Sequence, residues 1–340
     1  MKNVLRFLFL ALGIGLFAFF IKEAGTDEIL HTLGELGWGK GALAMLPYLL
    51  VYACDTMGWR FAFSSASAHH LGYLTQVRLR MAGEAVNNLI PSAYVGGEPV
   101  KIYLAKKRGV PTINAAQSVV VAKTTMTIAQ VFAIALGALA ATRSLDPGSW
   151  AHKGMLVTTG IAAGVAAMLF WLQSRGMFTT LLKVARALHL KIEALDKAEP
   201  HLAELDDEIV SFYRNDKMRF FWSTFFHLCG WIVGMVEVFV ISHLLGMPLD
   251  WSQALAIETF TGVAKGVGIF APGSLGVQES GIALLFRVMG LPDALGISYA
   301  IVRRAREVLF VLIGGAFLFG EEASIRALAE KARRETAEEL

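Results

Sequence analysis

An all-α polytopic membrane protein built from two inverted repeats is the fold class the sequence predicts, and three observations predict it. The 340 residues are 55% hydrophobic and 17% charged, with a mean hydropathy of +0.53; soluble domains are about 45–50% apolar and 25% charged. The apolar residues gather in runs near or above the roughly 17 residues needed to cross the hydrocarbon core. Two Gly/Pro-broken segments, Pro91-Ser-Ala-Tyr-Val-Gly-Gly-Glu98 and Pro272-Gly-Ser-Leu-Gly-Val-Gln-Glu279, recur at one fixed offset, followed by Gly109-Val-Pro111 and Gly290-Leu-Pro292.

In chain order, apolar runs occupy about 4–21, 41–63, 114–142, 154–173, 220–245 and 294–319, giving about six full spans. The first lacks a small-residue cleavage site before Lys22-Glu23 and reads as a retained span, not a signal peptide. Two shorter pairs, about 76–90 with 98–106 and about 252–270 with 276–289, are interrupted by Pro and Gly and carry charge. A break at membrane depth frees backbone N–H and C=O groups, which is tolerated only where protein or a water-filled cavity satisfies them. Each pair therefore predicts a broken, re-entrant helical hairpin, with two full crossings per pair as the alternative.

Charge placement gives the orientation. With both termini cytoplasmic, the external segments hold only Lys22, Lys40, Arg143, Lys153 and Arg287 of the 31 Lys and Arg residues. Lys123, Lys265, Arg303, Arg304 and Arg306 lie inside membrane segments, and the remainder, Arg80 and Lys101 included, are assigned to the cytoplasmic side. This fits a multi-pass protein of a bacterial-type inner membrane.

Residues 1–340 then read as a single membrane domain, with repeat 1 over 41–142 and repeat 2 over 220–320, each a span, a broken hairpin and a span. Val86, Pro91, Glu98, Leu104, Gly109 and Pro111 meet identical residues at the offset, and Lys106 meets Arg287. The hairpins enter from opposite faces, an arrangement that places a shared site near the midplane for alternating access. Residues 178–218 are charged but keep Leu182, Val184, Leu188 and Leu195 at loosely helical spacing, which predicts an amphipathic connector on the cytoplasmic face; a solvated linker helix is the other reading.

The chemistry lies in charges that a bilayer disfavours. Arg303, Arg304 and Arg306 sit midway along the last run beside Glu307, where one charge costs about 2.5–3.5 kcal/mol on insertion scales. Guanidinium is planar, permanently charged and suited to bidentate phosphate contacts, so these residues are candidates to bind a phosphate head group. A buried ion-pair network with Glu307, Glu279 or Glu258 is the alternative. The offset sets Lys123 opposite Arg304, Glu84 opposite Lys265, and Glu98 opposite Glu279, while Asp55 and Glu237 fall at matching depths. Glu98 and Glu279 begin the second limb of each hairpin, where capping of a helix N-terminus competes with a substrate role. Pro91, Gly96, Gly97, Pro272, Gly273 and Gly276 read as backbone hinges.

Other classes find little support. His69, His70, His227 and His243 lack convergent ligand spacing, so no metal is expected; no nucleotide-binding or nucleophile-elbow motif points to a cofactor. Cys54 and Cys229 lie in apolar runs and carry no redox information. Trp38, Trp59, Trp150, Trp222 and Trp251 fall near span ends, as interfacial anchors do. No nucleic-acid partner is indicated.

Asn88-Leu-Ile-Pro91 through Glu98-Pro-Val-Lys101, and Ala271-Pro-Gly-Ser-Leu-Gly-Val-Gln-Glu279 followed by Arg303 to Glu307, resemble the transmembrane region of lysylphosphatidylglycerol synthases and the stand-alone flippase-like proteins related to it. The resemblance adds Asn88 and Lys101 to the candidate substrate-binding residues. It implies translocation of an anionic or zwitterionic lipid, or of a lipid-linked precursor, between leaflets. It does not extend to the aminoacyl-transfer domain of the synthases, since only about 20 residues follow Gly320. The expected partner is a membrane lipid, with a homo-oligomer or a biosynthetic membrane partner as further options. A membrane enzyme using Glu98 or Glu279 as general base, and a non-catalytic member of a lipid-biosynthesis complex, are the competing functions.

Overall fold

The computed structural model describes residues 22, 26–67, 71–89, 96–142, 148–188, 193–267 and 274–338. Among the described residues every regular element is helical: α1 (Thr26–Ala62), α2 (Tyr73–Leu89), α3 (Gly97–Lys107), α4 (Thr112–Ala141), α5 (Trp150–Gln173), α6 (Met177–Ala187), α7 (Glu193–Asn215), α8 (Lys217–Leu244), α9 (Trp251–Val267), α10 (Val277–Val288) and α11 (Asp293–Glu338). Leu36–Ala62 within α1, together with α4, α5 and α8, are long and apolar enough to cross a membrane. The predicted run at 294–319 lies inside α11, where Arg303, Arg304, Arg306 and Glu307 interrupt its apolar character. The run at 4–21 lies outside the described residues.

The short pairs fold as helical limbs with nearly the predicted bounds. α3 has 11 residues and α10 has 12, so at 1.5 Å per residue each is roughly 16–18 Å long, well short of a bilayer core of about 30 Å. Both end in the same way. The Gly109 N–H donates to the Lys106 carbonyl and that of Val110 to Ala105; Gly290 donates to Arg287 and Leu291 to Phe286. Gly109 and Gly290 hold φ of 90° and 71°, a left-handed conformation that only glycine adopts without penalty and that closes a helix C-terminus. The repeated Gly-x-Pro is thus a stop followed by a start, because proline is tolerated where the next helix begins.

Packing between the halves is reciprocal. α1 lies along α8 in the largest helix contact, α2 packs on α11, and α9 packs on α4. The first limb of each hairpin therefore rests on the last long helix of the other half. Small residues set the distances, as expected where lipid supplies no hydrophobic drive between helices. Gly83 of α2 faces Gly97 of α3, Gly314 of α11 faces the Met81 carbonyl, Gly137 of α4 faces Thr259 of α9, and Gly58 of α1 faces His227 of α8.

α5 packs chiefly on α4 and exposes Leu156, Ile161, Val165 and Met168. The connector forms two helices rather than one. Asp206 of α7 accepts from the N–H groups of Phe178 (3.1 Å) and Thr179 (2.8 Å) at the start of α6, while Ile209 and Phe212 are buried. Trp59 departs from its expected interfacial place: it is 1% exposed and donates to Ser118 Oγ at 3.2 Å, inside the cluster formed with Phe63, Leu104 and Val119.

A Cβ at Gly314 meets backbone, whereas one at Gly160 of α5 meets open space. Gly314→Val is expected to destabilise by about 1–3 kcal/mol, the usual cost of overpacking, and Gly160→Val to have little effect. Thermal unfolding of purified protein in detergent measures this; equal losses would contradict the packing described.

Candidate functional site

The two hairpins carry matching ion pairs. Glu98, in the first turn of α3, pairs with Lys101 of the same helix and with Lys123 of α4, whose Nζ lies 3.2 Å from Oε1. Glu279, in the first turn of α10, pairs with Arg304 of α11. The residues that the offset aligns, Lys123 with Arg304 and Glu98 with Glu279, thus form equivalent contacts. Glu279 Oε2 accepts from the Gly276 N–H at 2.7 Å. In the first hairpin Glu98 lies in the first turn of α3, and the Gly97 N–H donates to Asn87 Oδ1 of the neighbouring limb at 2.6 Å.

The arginines reach three different helices. Arg303 donates to Glu258 of α9 at 2.6 Å and to the Tyr299 hydroxyl at 2.8 Å. Arg304 binds Glu279 and, at 2.8 Å, Glu307. Arg306 pairs with Glu237 of α8 and lies 3.6 Å from the centre of the Tyr48 ring on α1. Glu307 also accepts from Gln278 at 3.0 Å and stands 3.6 Å from Lys265. The ion-pair network anticipated as an alternative is present, and it engages every cation in this run.

The two halves meet at a small cavity, about 10 Å³, lined by Tyr48, Tyr52, Glu84, Asn88, Lys265 and Glu307. That is room for about one water. Glu84 of α2 and Lys265 of α9, equivalent at the offset, face this one space. Asn88 anchors locally, donating to the Glu84 carbonyl at 2.8 Å. On the far side, Arg80 donates to Asp55 at 2.8 Å, and Asp55 in turn contacts His227 Nδ1 at 3.0 Å.

Asp55, Glu84, Glu98, Glu237, Glu258, Glu279 and Glu307 are matched in number by Arg80, Lys101, Lys123, Lys265, Arg303, Arg304 and Arg306. Most are deeply buried; Lys123, at 43% side-chain exposure, and Lys265, at 28%, are the accessible cations. Buried charges are tolerable when paired, and removing one partner strands the other. An anionic ligand meets Lys123 and Lys265 first, and deeper in the seam it competes with a carboxylate for its cation.

Of the expected hinges, Gly97 and Gly276 flank the limb starts and Gly96 precedes α3; Pro91, Pro272 and Gly273 lie outside the described residues. Arg80 and Lys101, assigned from the sequence to the cytoplasmic side, are 5% and 7% exposed and paired with carboxylates. Tyr48, Tyr52, Arg80 and His227 were not singled out as site residues. Arg80 and Glu84 stand four apart on one helix, a spacing that pairs opposite charges and was a usable signal; the two tyrosines offered none in an apolar run.

The family model described as Lysylphosphatidylglycerol synthase TM region matches residues 4–315. No curated protein and no solved structure matches the chain.

Because Arg306 and Glu237 are 1% exposed, Arg306→Gln is expected to destabilise by about 3–5 kcal/mol, and Arg306→Met combined with Glu237→Leu to recover much of the loss. Unfolding in detergent reads both. A double variant as unstable as the single would show that the pair does not act as a unit.

Proposed function

The chain belongs to the lysylphosphatidylglycerol synthase TM region family, which makes it a multi-pass membrane protein with a lipid-related role, and on that premise we propose that it translocates an anionic or zwitterionic lipid, or a lipid-linked precursor, between leaflets by alternating access. The observation that carries this reading is the pair of equivalent contacts, Lys123–Glu98 and Arg304–Glu279, on either side of the cavity where Glu84 and Lys265 face each other.

In this reading the two units, 41–142 and 220–320, are inverted repeats, and their broken hairpins are re-entrant. The shortness of α3 and α10 supports that arrangement, as does the exchange of hairpin and long-helix contacts between halves. Inverted units allow two conformations of similar energy, one open to each leaflet, around a fixed midplane site. A phosphate displaces Glu279 from Arg304, or Glu98 from Lys123, and keeps each cation neutralised. Arg offers the bidentate fork and Lys a point charge. While the phosphate is bound, displaced Glu98 keeps Lys101 and displaced Glu279 keeps the Gly276 N–H, and each carboxylate returns to its cation when the head group leaves. Lys101, Arg303 and Arg306 hold the carboxylates in place, and Asn88 and Lys265 complete the polar wall. Both termini lie on the cytoplasmic side of a bacterial-type inner membrane.

The test is flipping of a fluorescent phosphatidylglycerol in phosphatidylcholine vesicles, read as the fraction of probe reached by external dithionite. Vesicles with the protein are expected to expose inner-leaflet probe, and protein-free vesicles to protect it. Lys123→Gln and Arg304→Gln are each expected to reduce the rate at least about tenfold, a loss of about 1.4 kcal/mol. The double variant should lose little more, since residues acting as one unit are not additive. Losses that multiply would mean that the halves do not converge on one site.

A further inference from the structure

Asp55 and Glu237 belong to different halves, and their partners differ in kind. Glu237 is held by Arg306, a permanent cation. Asp55 is held by Arg80 on one oxygen, at 2.8 Å, and by His227 Nδ1 of α8 on the other, at 3.0 Å. His227 takes no part in the exchange of carboxylate for phosphate. An ionised carboxylate only accepts hydrogen bonds, so Nδ1 carries the hydrogen, and Nε2 of a neutral ring is a bare acceptor. That atom is buried without a hydrogen-bond partner among the described residues, and a Cβ built at Gly58 of α1 would lie 2.7 Å from it. The His227 side chain is 0% exposed.

This arrangement favours the neutral ring. An imidazolium would leave a charged Nε2–H buried without an acceptor, and a charged group is costlier to strand than a neutral one. Asp55 of α1 is the carboxylate that faces the ring, with Arg80 of α2 and Lys101 of α3 as the cations acting on it. Cys54 of α1 and Cys229 of α8 lie near each other on the same seam. Elsewhere along α8 the neighbours are neutral or already paired: α4 brings Thr125 to Ser223, α7 brings Tyr213 to Phe220, Glu258 of α9 reaches Gly234 while bound to Arg303, and α11 brings Arg306 to Glu237. From Asp55 the contacts continue to the polar cavity. Arg80 stands 3.9 Å from Glu84, which lines that cavity with Lys265. Because the carboxylates and cations of the seam match in number, an anionic head group adds a negative charge with no cation to spare.

We propose that His227, paired with Asp55, takes up one proton for each anionic head group that binds, so that the protein carries an anionic lipid and a proton together. This rests on the translocation reading and adds to it a coupling ion and a substrate class, a lipid whose head group bears one net negative charge. Histidine is the side chain whose ordinary charge change falls near neutral pH, and its proton supplies the positive charge that the occupied seam lacks. A proton from water on the entry side bonds to the Nε2 lone pair, and Asp55 balances the imidazolium as Arg80 turns toward the anion beside Glu84. The new Nε2–H needs an acceptor that the closed α1–α8 seam does not offer, so protonation favours an arrangement in which the two helices have parted at Gly58. When the head group leaves on the other side, Arg80 returns to Asp55 and the Nε2 proton passes to water there. One anion and one proton cross, and no net charge moves.

The experiment has two readouts on the full chain. Calorimetric titration with sn-glycero-3-phosphoglycerol, a phosphodiester that does not itself titrate near neutral pH, is run in buffers of different ionisation enthalpy to count protons. Uptake of about one proton per ligand is expected for the wild type, as linkage requires when a group charges on binding, and none for His227→Gln, whose amide can still donate to Asp55. In phosphatidylcholine vesicles with the membrane potential clamped, a pH gradient is expected to gather fluorescent phosphatidylglycerol in the leaflet facing the alkaline side, about tenfold per pH unit. His227→Gln and protein-free vesicles should show no such enrichment. Wild-type binding without proton uptake, or free flipping with the probe left evenly distributed, overturns the coupling and leaves translocation standing. Uptake undiminished in His227→Gln overturns the assignment to this residue. Proton uptake on binding without any flipping keeps the site and removes the translocation reading, and a wild-type protein that neither binds the phosphodiester nor flips the probe removes both.

Discussion

Neutralisation of charge inside an apolar scaffold is the constraint on which the rest of this structure depends. An uncompensated charge at membrane depth is expensive, and fourteen ionised side chains would be intolerable singly. They are accommodated because each cation has a carboxylate: Arg303 has Glu258, Arg304 has Glu279 and Glu307, Arg306 has Glu237, Lys265 has Glu307, Arg80 has Asp55, and Lys101 and Lys123 share Glu98. Apart from Lys101–Glu98 and Arg304–Glu307, these pairs cross between helices, so they also fix which helices are neighbours. The glycine contacts serve the same end, since a side chain at Gly58 or Gly230 would displace His227 or Asp55 from their pairing.

Much of this was legible in the sequence because proline, glycine and charge have steep positional costs. The repeated Gly-x-Pro foretold two matched helix exits, and Gly109 and Gly290 make them with the same hydrogen bonds. The breaks before Glu98 and Glu279 foretold where the short limbs begin. The correspondence of Lys123 with Arg304 and of Glu98 with Glu279 put a cation and a carboxylate in each half, although sequence left open whether the arginines faced a ligand or a network of glutamates. What escaped was whatever depends on helix rotation. That Arg80 and Lys101 turn inward to pair with carboxylates was hidden, since position along the chain does not reveal which way a helix face points. Trp59 looked like an interfacial anchor for the same reason. That Asn87 would accept from the Gly97 N–H was hidden too, because the crossing at Gly83 and Gly97 brings the limbs into contact, a distance no pattern encodes.

The balance of charge recasts the arginine cluster. A standing excess of cations would bind an anion tightly and hold it, whereas a self-paired seam makes binding an exchange, so that affinity is the difference between phosphate and carboxylate as partners. Such a site suits a carrier, which must release its ligand as readily as it takes it. Lys123 and Lys265 are the accessible members, and they lie in different halves, so a head group engaging both draws the halves together.

Exchange at Arg304 is the central claim, and it makes a prediction opposite in sign to that of simple cooperation. Binding of sn-glycerol 3-phosphate to the purified protein by isothermal titration calorimetry tests it, with glycerol as the neutral control. Removing the competing carboxylate in Glu279→Gln is predicted to tighten glycerol phosphate binding relative to wild type, with Arg304 still neutralised by Glu307, while Arg304→Gln abolishes it. Weaker binding by a correctly folded Glu279→Gln protein would contradict the account, because it would make Glu279 a part of the anion site and not its internal competitor.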